Sequence, residues 1–179
     1  MPPKLYVEDP EFMMPLTFLS EEVYEQALSS LIVVCADTVI IDREHKTLWL
    51  AKRIVPPIST DWVIGGRIGA GEKEQDGAQR IFARETSLNL PRERFSFLGM
   101  NRYICSERKQ YPQEKGSDTL SYTFIAELTP EEIQIVSKNL EPQEYDLSAG
   151  LTEFSRTQLV ERKVHRAIID MYDLIFPHS

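Results

Sequence analysis

The sequence predicts an α/β domain, a mixed sheet with helices on both faces. Two observations predict it. Runs of β-branched residues, such as 31–42, alternate with helical patterns, such as 72–89. Polar or proline-rich turns, REHK at 43–46 and VPPIST at 55–60, separate neighbouring elements. The chain has 179 residues, which suits one domain of ordinary size, and no repeat or low-complexity segment divides it.

Residues 1–20 hold four prolines among scattered apolar side chains and read as an arm; residues 21–179 form the single domain. Phe12, Met13, Met14 and Phe18 give the arm more apolar surface than a solvated tail needs, which predicts a homodimer contact. Ser20 ahead of Glu21 and Glu22 predicts a capped helix to about residue 29. Residues 31–42 predict a strand buried on both faces, and 47–54 its return. A short strand follows from Trp62 to the double glycine, then a helix over 72–89 with Ala78, Ile81, Phe82 and Leu88 inward. Residues 94–106 and 119–128 predict strands around a polar loop read as mobile. Thr129 and Pro130 start a helix, and after a second loop at 139–150 one C-terminal helix is expected over 156–175.

Composition excludes some function classes. A net charge of −8 argues against non-specific binding to nucleic acid or an anionic membrane. It leaves room for a local basic pocket that takes a small phosphorylated ligand. Cys35 and Cys105 lie in apolar runs and read as reduced, buried thiols. Neither a signal peptide nor a membrane-length apolar run is present, so a cytoplasmic protein is expected. His45, His165 and His178 read as surface residues.

The stretch GGRIGAGE at 65–72 carries the chemistry. Gly65, Gly66, Gly69 and Gly71 allow tight turning and bring N–H groups close to anionic oxygens. Glu72 and Arg80 follow, eight residues apart and so about two helical turns. Gly66, Glu72 and Arg80, with WVIGG before them, resemble the first half of the Nudix box. The resemblance implies an α/β/α sandwich with a mixed central sheet. It also implies hydrolysis of nucleoside diphosphate derivatives with magnesium or manganese, and a structural brace between Glu72 and Arg80.

The second half of the box departs from the pattern. Of three helix carboxylates expected at 81, 84 and 85, only Glu85 is present; Ile81 and Arg84 take the other places, and Ser87 replaces a glycine. A guanidinium ~5 Å from a divalent ion would be repelled by roughly 6–7 kcal/mol at an effective dielectric of ~20. Arg84 therefore either turns to solvent or replaces a metal and touches phosphate itself.

This reduced box resembles the GDP-mannose mannosyl hydrolase branch. The likeness implies one metal held by Glu85, Gln143, Gly66 and the ligand's diphosphate. It implies substrate contacts from Arg53, Arg67, Asp37, Tyr122 and Arg84, with Glu85, Arg67 and Glu144 catalytic. In that branch a histidine is the general base, and Glu144 stands in its place here. Two functions follow as expectations: a hydrolase of a nucleoside diphosphate sugar or related compound, or a silent module that binds such a ligand uncut.

Overall fold

The computed structural model describes residues 3–9, 11–15, 17 and 19–177. Phe18 and His178 lie outside them. The first helix, α1, spans Glu21–Leu28; Ser20 stands at its N-cap, but its side chain makes no capping hydrogen bond.

Strand β1 (Val33–Asp42) is the spine of the sheet. Along one edge it runs parallel to β6 (Ser117–Glu127), from Val33 opposite Thr119 to Ile41 opposite Glu127. The other edge is shared. Ile40 to Asp42 pair with β2 (Thr47–Lys52), while Cys35 to Thr38 pair with β4 (Ile64–Arg67). Strand β5 (Ser96–Cys105) extends the sheet beyond β6, and β3 (Asp61–Trp62) flanks β2. The pairing of β1 with β6 is parallel and the others are antiparallel, so the sheet is mixed.

Alternation along β1 sends its side chains into two cores. Ala36 and Ile40 meet α2 (Glu74–Thr86) and α3 (Pro130–Lys138) through Ala78, Ile81, Phe82 and Val136. Val39 and Ile41 meet α4 (Arg156–Glu161) and α5 (Arg166–Ile175) through Leu159, Ile168 and Met171. Ile81 and Phe82 are at most 1% exposed, and burying each stabilises the fold by about 2–3 kcal/mol. The result is an α/β/α sandwich.

Several details differ from the sequence reading, and α2 ends at Thr86 rather than near 89. Residues 151–154 form a strand, β7 (Leu151–Phe154), paired with β2, in a piece too short for its alternation to show. The expected single C-terminal helix is two. Lys163 takes a left-handed φ of 53°, which lets Val164 turn into the core, and His165 caps α5 by accepting the Ala167 N–H. At the end of α2, Ser87 holds the left-handed conformation, φ 56°, that glycine adopts at least cost.

The loop expected to be mobile is anchored. Arg108 is 1% exposed and donates to Ser29 Oγ and to the carbonyls of Glu25 and Tyr111. A cation at the end of α1 is favoured by the helix dipole, and these bonds fasten the loop to α1. No helix among the described residues is long and apolar enough to cross a membrane.

Candidate functional site

The side of β1 that holds Val33, Cys35 and Asp37 faces a cavity of about 380 Å³. Trp62 and Tyr103 line it beside Tyr24 of α1, together with Arg84, Glu85 and Glu144. Its charge is opposite to that of the whole protein. Arg53, Arg67, Arg84, Arg108 and Lys109 line it against Asp37, Glu85 and Glu144, five cations to three carboxylates.

Asp37 is 7% exposed, and burial pushes its carboxyl up to about 6 despite Ser121 and Arg53 nearby. Its space depends on Gly65: a Cβ there would come within 2.0 Å of Asp37 Oδ1. Cys35 is pushed up to about 12 by burial and by Asp37, so its thiol stays protonated and unreactive at neutral pH. Arg67 lies over the Tyr24 ring, 4.5 Å from its centroid.

The glycine loop is held by the protein's own carboxylate. Glu72 receives Arg80 at 2.6 and 2.7 Å through both oxygens and also accepts the Gly69 N–H at 2.8 Å. Arg80 donates to the Arg67 carbonyl at 3.1 Å, which ties the helix to the strand that carries Arg67. The Gly69 N–H is therefore spent on Glu72 rather than left for a ligand.

Glu85 is 3% exposed. Arg84 donates to its Oε1 from Nε at 2.9 Å and from Nη2 at 2.5 Å, while the buried Oε2 has no partner. Burial raises the carboxyl above the ordinary glutamate value, more than Arg84 lowers it. Glu144 bridges Arg53 at 3.1 Å and Lys109 at 2.6 Å. Burial works to raise it, yet these two cations outweigh burial and hold it below the ordinary value. The expected base at Glu144 needed the opposite shift, and its two ion pairs make it a weak proton acceptor.

Two expected ligands fall outside the cavity. Tyr122 is paired with Ala36, on the α2 side of the sheet, and packs against Phe97. Gln143 is exposed in the loop after α3 and does not line the cavity. Conversely Tyr24, Trp62, Tyr103, Arg108 and Lys109 line it without having been singled out. The one sequence signal for the last two was the basic pair within a polar loop.

The fold and this cavity define a sandwich domain with a cation-lined pocket between β4 and the last turn of α2. The chain belongs to the Nudix family: the NUDIX domain model matches residues 33–168. A search of curated proteins found no match. The MutT NUDIX hydrolase from Burkholderia pseudomallei superposes with a TM-score of 0.59 at 18% identity, over 79% of this chain and 97% of that one. A C. elegans Ap4A hydrolase binary complex gives 0.56 at 15%, over 80% and 95%. Shewanella oneidensis NrtR, complexed with a 27mer DNA, gives 0.50 at 13%, over 78% and 59%. At these identities the likeness is one of fold.

Family membership implies a divalent ion, and the donors of this chain do not fit one. Glu85 gives one oxygen to Arg84, Glu144 is engaged by two cations, and Ile81 is buried hydrocarbon. Among the described residues, no three His, Cys, Asp or Glu side chains are grouped to hold a metal. Magnesium takes oxygen ligands and dehydrates reluctantly, so one orphan carboxylate oxygen beside a guanidinium is a poor resident site.

Proposed function

We propose that this chain binds and hydrolyses a small nucleoside diphosphate derivative, a nucleoside diphosphate sugar being the leading class. The observation that carries the reading is the excess of cations over carboxylates around a cavity in a protein of net charge −8. Such a concentration of positive charge selects an anion, and a volume of about 380 Å³ suits a small molecule. Arg53 and Arg67 are assigned to the diphosphate, where guanidinium groups neutralise charge on a leaving phosphate. Trp62, Tyr103 and Tyr24 supply flat apolar surface for the rest of the ligand.

Asp37 replaces Glu144 as the assigned base. Its carboxyl, at about 6, is ionised at neutral pH and yet a better proton acceptor than an exposed aspartate. Relation to the GDP-mannose mannosyl hydrolase branch is kept as part of the proposal on Asp37, Arg53, Arg67 and Glu85. The ligand is taken to be a small molecule rather than a nucleic acid, because the positive charge is concentrated at a cavity in an acidic protein.

A screen of nucleoside diphosphate sugars, in magnesium and in EDTA, reading both free sugar and phosphate, tests the reading. Product with at least one sugar is expected, and Asp37→Asn should lower its rate by orders of magnitude. Binding by calorimetry without product would favour the second reading, a silent binding module, which the engagement of Glu85 and Glu144 supports. Neither binding nor product would sink both. A homodimer through the arm is part of the proposal, supported by the exposure of Phe12, Met13 and Met14; a monomeric mass by sedimentation would refute it.

A further inference from the structure

We propose that the Arg84 guanidinium takes the place of a divalent metal in this site. It is the built-in cation that holds Glu85 and meets the ligand's phosphate, so phosphate binding needs no magnesium. The inference deepens the proposed function and rests on it for the class of ligand.

The geometry around Gly66 carries the argument. Arg84 Nη2 is 2.5 Å from Glu85 Oε1 and only 2.9 Å from where a Cβ on Gly66 would stand. One nitrogen thus bonds Glu85 and lies close beside Gly66, two residues that the resemblance assigns to a metal. Ile81 crowds the same spot, with Cγ2 at 3.2 Å from that Cβ position, and offers no ligand.

Depth points the same way. The Glu85 side chain is 3% exposed and that of Arg84 54%, so the guanidinium is the more open member of a pair that lines the cavity together. An ion approaching Glu85 would meet a positive charge already bonded to its Oε1. A guanidinium has five N–H donors in a planar fork. Two nitrogens, Nε and Nη2, are engaged on Glu85. The structure gives Nη1 no acceptor among the described residues, and it remains for a phosphate oxygen.

Gly66 has the complementary role. With no side chain, it lets the guanidinium lie against the β4 backbone, and a Cβ there would oblige the tip of Arg84 to shift.

Manganese titration followed by electron paramagnetic resonance, without nucleotide, tests the place of Arg84. The wild type is expected to leave the ion free. Arg84→Glu should gain one saturable site, lost again in Arg84→Glu/Glu85→Gln, with circular dichroism confirming that each variant folds. A saturable wild-type site removed by Glu85→Gln would overturn the inference, as would Arg84→Glu that gains none.

Calorimetry with inorganic pyrophosphate tests the role. Wild-type affinity should be the same in EDTA and in magnesium, and Arg84→Gln should weaken it about tenfold or more. Binding that requires magnesium would overturn the inference while leaving the proposed function standing. No pyrophosphate binding in either buffer would defeat the proposed function, and the manganese result would still decide what occupies the metal's place.

Discussion

Asp37 sits under the cavity with Gly65 packed against it, and its folded carboxyl lies at about 6 against 3.8 in an unfolded chain. The sign of the consequence follows from proton counting. Between those two values the native state holds a proton that the unfolded state has lost, so this group's contribution to stability falls as pH rises. At about 1.4 kcal/mol for each tenfold change in affinity, the interval corresponds to about 3 kcal/mol. Asparagine keeps the shape but cannot ionise. Asp37→Asn should therefore gain about 2.4 kcal/mol, most of that interval, relative to wild type on going from about pH 4 to about pH 7. Glu72 and Glu144 drive the opposite trend in both proteins, because their carboxyls are held below the ordinary value. The difference between the two urea curves isolates Asp37. A difference that stays flat across that pH range would refute the reasoning, whatever its absolute value.

Arg108→Met should cost about 2–4 kcal/mol in urea unfolding, because it removes a buried cation's hydrogen bonds to Ser29 and to the Glu25 and Tyr111 carbonyls, which tie the loop to α1. Limited proteolysis should then cut within residues 106–116, and an uncut loop would contradict the anchoring role. Glu144→Gln should tighten pyrophosphate binding several-fold by releasing Arg53 and Lys109 from their shared carboxylate. Loss of turnover by orders of magnitude with unchanged binding would instead restore Glu144 as the base.

The loss of Tyr122 from the site and the gain of Tyr103 have one cause. On a strand, neighbouring residues face opposite sides of the sheet. Register puts Tyr122 opposite Ala36, on the α2 face, and Tyr103 opposite Thr119, on the cavity face. Neither parity is visible until β1, β5 and β6 are paired. Gln143 and Glu144 repeat the lesson in a loop: Glu144 is drawn inward by Arg53 and Lys109, and Gln143 is left outside.

What the sequence determined by itself lies within a few residues or a few turns. The helix faces, the capping of α3 by Thr129, and Glu72 placed to meet Arg80 two turns on all follow from local periodicity. The mixed sheet under helices follows from the order of those patterns. The tertiary structure alone decided the cavity. Its cations arrive from positions far apart in the chain: Arg53 meets a carboxylate 91 residues away, and Arg108 reaches 83 residues back to α1. It also decided the fate of Arg84, which sequence left between solvent and phosphate. The side chain's seat depends on the empty space above Gly66, and β4 offers that space only when it is folded beside α2.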